Sequence, residues 1–402
     1  MYAAAFLLDF SVMIGLTAMP FFIFDRLGGG EALSGAVGAV QMALYSAGCL
    51  VSAVFVSGTR NVLRPALAGV GTFGCLFVLV PVSNSALPCL AAASTPFLGL
   101  ALAWPAMQAW LGREPDPEIR ARRLAAFNTA TAFGFTLSPL FAGPLYDMDH
   151  RIPFAALFML CAAAAGLLLS LPSNTETRKV QAGQKPESTA ATDQFRPSPG
   201  LLYASWAATF TTNGLFAALR SVYPMRVKTL SDDAALTLWG GFRPDALDAA
   251  GPATVFSWLA FLLSLSTVAC FFIMGRTTSW QGRFRPVLIG QAAAAASFLL
   301  LGRARSLAEM LLCFAVVGAA FGMCFFSSLY YSLCEAAAGH RRAAINEGVL
   351  GAGGFAGGMA AGQAAGAVGI TAAFQWAPLL IGAAAIIQLL LLRAGAPARG
   401  RG

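Results

Sequence analysis

The chain has 402 residues, 57% of them hydrophobic and 11% charged, where soluble domains carry about 25% charge. That balance excludes a water-soluble globule, and 31 Phe with 7 Trp exclude disorder, because too little polar surface remains to solvate an open chain. The net charge of +8 would suit a nucleic-acid binder, but the bases fall in short clusters between apolar runs, a pattern that membrane topology explains, and no nucleic-acid partner is expected.

Crossing a hydrocarbon core of about 30 Å takes about 20 apolar residues. Twelve such runs follow one another, at 3–24, 32–57, 65–82, 87–111, 125–146, 152–171, 201–223, 254–274, 286–302, 307–333, 343–370 and 373–392. The first has no basic leader and is read as a retained helix, with an upstream start left open. Placing the N-terminus inside puts 18 of the 26 Lys and Arg on inner loops, so both termini are expected in the cytoplasm. The expectation is an all-α multi-pass protein of a bacterial cytoplasmic (inner) membrane, a monomer whose partners are the lipid bilayer and a small-molecule substrate.

Residues 172–199 are polar and without apolar periodicity, which reads as a flexible cytoplasmic linker between six-helix bundles at 1–171 and 200–402. A second long connection, 226–252, falls outside, where Asp232, Asp233, Trp239, Gly240 and Gly241 suggest a short helix or cap over the outer mouth. The eight cysteines lie within or beside apolar runs with no C-x-x-C spacing, and His150 and His340 fall on opposite sides. No metal site or cofactor is expected. No nucleophile, base and orienting group can be assembled, so an enzyme ranks last.

The halves carry an internal repeat. Met19-Pro20 is answered by Tyr223-Pro224, and Pro65 by Pro286, each of the latter pair opening a run after a basic loop. The pattern R-x-A-A-x-N stands at Arg123 to Asn128 and again at Arg341 to Asn346. Beyond it, Gly134-x-x-x-Ser138-Pro139-x-x-Ala142-Gly143 is answered by Gly353-x-x-x-Gly357-Gly358-x-x-Ala361-Gly362, slipped by one. With these motifs the chain resembles the major facilitator superfamily over its whole length. Its loop motif G-x-x-x-D-R-x-G-R is similar to Gly275-x-x-x-Ser279-Trp280-x-Gly282-Arg283, with Ser279 at the acidic position, while only Gly58, Arg60 and Arg64 remain of the first copy. Gly134, Pro139 and Gly143 keep part of an exporter motif, which leans the direction toward export.

The resemblance implies a cavity lined by the first, fourth, seventh and tenth helices, and a contact between the second and eleventh. Gly354, Gly358, Gly362 and Gly366 form a bare ridge on the eleventh run, facing Ser34, Gly35, Gly38 and Ala39 on the second; packing alone explains such a ridge. Asp9 is the acid in the body of the first run, and the offset between Pro20 and Pro224 places Asn213 at its counterpart, where the two could face each other. A carboxyl in a partly dry cavity can carry a proton near neutral pH; Asp9 reads equally as an acid in the first turns, favoured by the helix dipole. Arg220 reads first as a side chain snorkelling outward and second as the holder of a carboxylate or phosphate.

Gln41, Tyr45, Trp104, Gln108, Asn128, Thr131, Gln291, Tyr330 and Tyr331 each read alone as an interhelical bond or interfacial anchor and together as a mixed polar and apolar pocket. Arg123, Asn128, Gly282, Arg283, Arg341 and Asn346 are expected at an inner gate, with Glu114, Glu118 and Glu335 as acids for the bases. Glu347, where the first half has Thr129, is a second candidate for proton coupling. The function expected is secondary active transport of a small organic solute by alternating access, coupled to protons and not to ATP, since no P-loop is present. The alternative is a transporter-like receptor or assembly scaffold without transport.

Overall fold

The computed structural model describes residues 1–57, 61–111, 117–171, 197–334 and 339–394. The segment 172–196, Gly58, Arg60 and Glu335, and the side chains of Glu114, Glu118 and Arg341, lie outside the described residues. In chain order the helices are α1 (Tyr2–Arg26), α2 (Glu31–Ser57), α3 (Leu63–Phe77) with a 3₁₀ turn at Val80–Val82, α4 (Ala86–Ser94), α5 (Pro96–Leu111), α6 (Pro117–Leu137), α7 (Pro139–Met148) and α8 (Ile152–Leu169). They continue with α9 (Pro199–Asp232), α10 (Asp245–Ala249), α11 (Pro252–Arg276), α12 (Arg285–Leu301), α13 (Leu307–Leu333), α14 (Gly339–Val368) and α15 (Ile370–Ala394).

Two of the expected spans are broken, at Thr95 before Pro96 and at Ser138 before Pro139, because proline has no N–H to donate and its ring crowds the preceding turn. Ser138 turns its hydroxyl across to the Phe10 carbonyl at 2.6 Å. Joining α4 to α5 and α6 to α7 gives a chain order consistent with twelve passes. Among the described residues eight stretches are long and apolar enough to cross a membrane. The others fall short for visible reasons: α6 opens on Arg120, Arg122 and Arg123, α9 dilutes its apolar residues with Thr209, Thr211, Thr212 and Asn213, α14 is rich in glycine, and α12 is short.

Helix α9 runs through Pro224 to Asp232. The connection expected outside therefore begins at Asp233 and not at Arg226, and Lys228 lies on the helix. Within that connection Trp239 and Phe242 close a tight turn through Gly240 and Gly241, both at positive φ, which glycine adopts without Cβ strain. A short helix is present there, α10, whose Leu247 joins the core.

Helix α1 packs on α6 and α8, α3 on α5 and α8, α9 on α13, α14 and α15, and α11 on α13. The repeat is visible in how these pairs touch. A Cβ on Gly134 would come within 2.5 Å of the Phe6 carbonyl oxygen, and one on Gly353 would meet the Phe210 carbonyl. The offset that carries Asp9 onto Asn213 also carries Phe6 onto Phe210, so each pair joins the same helices of its half at the same depth. Between the halves, α14 lies on α2 and α7 on α11. Gly362 sits on the backbone of Glu31 and Gly35, Gly358 on Ala39, and Gly354 on Met42. Ser34 and Gly38 turn instead to Ser221 of α9.

Candidate functional site

Between α1, α2 and α9 lies a cavity of about 100 Å³, its walls mostly apolar (Leu16, Met19, Val37, Met42 and Phe216) with Gln41, Asn213 and Arg220 among them. Each polar group is held in place. Gln41 is buried and donates from Nε2 to the Ala93 carbonyl at 3.1 Å. Asn213 donates from Nδ2 to the Leu350 carbonyl at 2.6 Å, an approach that the bare Gly354 permits, since a Cβ there would lie 3.0 Å from Nδ2. The Asn213 amide is thus turned toward α14 of its own half.

Arg220 does not reach outward to the interface. Its Nη2 lies 3.2 Å from the Met13 sulfur of α1, and its guanidinium stands over the Phe216 ring at 5.5 Å. Among the described residues no carboxylate lies within ion-pair distance of it. A charge at bilayer depth costs about 2.5–3.5 kcal/mol on insertion scales, and a thioether and a ring offset little of that.

A second polar group draws on both halves. Asp9 on α1 is 9% exposed, with its Cβ beside Gly134 of α6. Tyr45 of α2 lies within electrostatic range of Asp9 and of Glu347 at the start of α14, and meets Trp104 of α5 edge-on at 5.7 Å. Gln108, one turn along α5 from Trp104, is exposed.

The remaining expected site residues are placed elsewhere. Asn346 is fully buried and accepts from the Ser328 hydroxyl of α13, so it joins two helices of one half; its counterpart Asn128 is exposed on α6. Tyr330 belongs to an aromatic cluster and not to the cavity. Trp280 meets it edge-on at 5.1 Å, and Gly282, at positive φ, donates its N–H to the Tyr331 hydroxyl at 3.1 Å. Trp280, where the loop motif has its arginine, thereby plugs the α11–α12 loop onto α13. Arg283 is exposed beside this plug, and Arg123 is half-buried. Gln291 is buried on α12 with neither amide atom partnered among the described residues, and Thr131 bonds back to its own helix at Asn128.

Sequence reasoning missed a set of polar bonds at the end opposite the termini, of which Lys228–Asp25 and Thr254–Asp147 cross between the halves. Lys228 Nζ lies 2.9 Å from Asp25 and 3.5 Å from Asp232. The Tyr146 hydroxyl donates to Asp25 at 3.1 Å. Asp147 accepts from the Thr254 N–H at 2.8 Å and its hydroxyl at 2.6 Å, placing an anion at the N-terminus of α11, where the helix dipole favours it. Nearby, His150 stacks on Phe22; burial, and then the Arg26 charge, hold its imidazole below the ordinary pKa of 6.5. Apart from the i,i+4 pair Lys228 and Asp232, the partners are distant in sequence and no local pattern announces them.

A sequence model of the Major Facilitator Superfamily matches residues 1–242. Among curated proteins no sequence relative matches. Several solved transporters share the fold. A bacterial homologue of the human lysosomal transporter Spinster, in an inward-facing and unoccupied conformation, superposes with a TM-score of 0.67 at 13% identity, covering 98% of this chain and 96% of that one. The nucleoside transporter NupG gives 0.69 at 14% identity, with 98% of each chain covered. A POT family transporter in complex with a thioalcohol-conjugated peptide gives 0.71 at 14% identity, covering 98% and 96%. The chain therefore belongs to the Major Facilitator Superfamily and is an integral, multi-pass membrane protein with a transporter fold.

Proposed function

We propose that the protein is a secondary active transporter of a small organic solute, working by alternating access and coupled to protons. The two bundles, 1–171 and 200–402, rock about the α2–α14 and α7–α11 contacts. On this reading both termini lie in the cytoplasm, and the bonds of Lys228 with Asp25 and of Thr254 with Asp147, which join the bundles at the opposite end, close the outer side. The site is the cavity between α1, α2 and α9. Asp9 carries the proton, with Glu347 across Tyr45 as the second acid, and the reaction uses no cofactor.

The observation that carries this reading is the exchange of Asp9 for Asn213 at matched positions. Asn213 is permanently neutral and donates to a backbone carbonyl of its helix partner. A carboxyl at the matched place can donate in that way only when protonated, so proton binding at Asp9 changes how α1 bonds to its surroundings. Reconstitution in proteoliposomes tests it: a pH jump is expected to drive uptake or release of the solute by the wild type. Asp9→Asn is expected to keep solute exchange at equal pH and to lose the response to the jump. A wild-type response in Asp9→Asn removes the proton role.

A further inference from the structure

We infer that the cavity beside Arg220 takes a small organic monoanion with a compact apolar body and one hydrogen-bond donor, of the hydroxycarboxylate kind; this rests on the transporter reading above and names its substrate class. The guanidinium brings five N–H donors in a fixed fork, and the protein gives them a thioether sulfur at 3.2 Å and the face of a phenyl ring. Neither is an anion. The side chain is half-buried and lines the cavity between α1 and α9, so a ligand entering that space meets the guanidinium directly. The anion that pairs with it arrives with the ligand, and a carboxylate matches the fork through two parallel hydrogen bonds.

Further along α9 and across on α2 the cavity adds the second requirement. Gln41 and Asn213 each give one amide N–H to the Ala93 and Leu350 carbonyls, and each keeps an amide oxygen to which no described residue donates, an acceptor that asks for a ligand hydroxyl or amine. Asn213 stands two turns from Arg220 on α9, about 10 Å along the axis, a gap shortened by the length of the arginine side chain. Between them Val37, Met42 and Phe216 are apolar, and the space of about 100 Å³ suits a body of a few carbons. A cationic ligand would meet Arg220 as a like charge, and a neutral one would leave it unpaired.

The probes are 3-hydroxybutyrate, its amide 3-hydroxybutyramide, and the amine 4-amino-2-butanol, three compounds of similar size that differ chiefly in charge. Thermal unfolding of the purified full chain in detergent is expected to shift upward by a few degrees with millimolar acid, and to stay within error with amide or amine. Arg220→Lys is expected to keep part of the shift and Arg220→Gln to lose it, each judged against its own ligand-free midpoint. No shift with the acid, an equal shift with amide or amine, or a full acid shift in Arg220→Gln overturns the inference; if neither variant folds, the three-probe comparison on the wild type decides. Binding of the acid without counterflow in proteoliposomes would remove the transporter reading and leave this one standing. Counterflow of the amine or amide that is undiminished in Arg220→Gln would do the reverse.

Discussion

The two halves of the chain keep the same backbone contact and differ in the chemistry beside it. In the first, Gly134 of α6 rests on the Phe6 carbonyl of α1, and in the second, Gly353 of α14 rests on the Phe210 carbonyl of α9. Three residues beyond each phenylalanine the halves part: the first has Asp9, buried and ionisable, the second Asn213, neutral and bonded to Leu350. The asparagines of the repeated R-x-A-A-x-N pattern part as well, Asn128 exposed and Asn346 buried against Ser328. Close helix approach is a backbone requirement that only a missing side chain satisfies, so both halves retain it. Polar positions carry no such constraint and are free to specialise, and Arg220 stands on the second half where the first has Leu16.

The strongest way to break this comparison is to fill the matched glycines. Gly134→Leu and Gly353→Leu should each destabilise by about 1–3 kcal/mol or more, as overpacking does, read as a fall in the thermal unfolding midpoint of purified protein. A large loss at one and none at the other would show that the contacts are not equivalent. The asparagine pair should give a sharper contrast. Asn346→Ala leaves the buried Ser328 hydroxyl without its acceptor and should cost about 1–3 kcal/mol, while Asn128→Ala, exposed, should stay within about 0.5 kcal/mol.

A smaller effect is expected at the end opposite the termini, where Lys228 and Asp25 are both partly exposed and such pairs are worth about 0.2–1 kcal/mol. Lys228→Ala should raise the rate at which an impermeant maleimide labels a cysteine placed at Ser34, in a background without native cysteines, by no more than about fivefold. The least effect is at His150. Its folded pKa is depressed, so the unfolded chain binds more protons and stability falls as the pH drops through 6.5 toward the lower folded value. Midpoints at pH 7.5 and 5.5 should differ slightly less in His150→Gln than in the wild type.

How much of this could be read beforehand varies by kind of residue. Glycines at fixed spacing announced helix contacts, and the α2–α14 contact through Gly358 and Gly362 lies where the ridge pointed. Prolines marked the breaks at Pro96 and Pro139 only in hindsight, since Pro20 and Pro224 sit inside continuous helices. Arg220 read more cheaply as a snorkelling side chain because sequence gives its distance from the helix end but not its azimuth, and the azimuth turns it to Met13. Tyr330 read as a cavity residue because the tenth span was treated as one face, whereas the Trp280 plug claims it.

Composition and periodicity by themselves determined a membrane-embedded helical bundle in two related halves, because apolar run length and a duplicated pattern are properties of the chain and need no partner. Only the tertiary structure decided which polar groups meet: Asp25 with Lys228, Asn213 with Leu350, Arg220 with a sulfur and a ring in place of a carboxylate. Those outcomes depend on the rotation and tilt of each helix against its neighbours, which many side chains set jointly and no single one encodes.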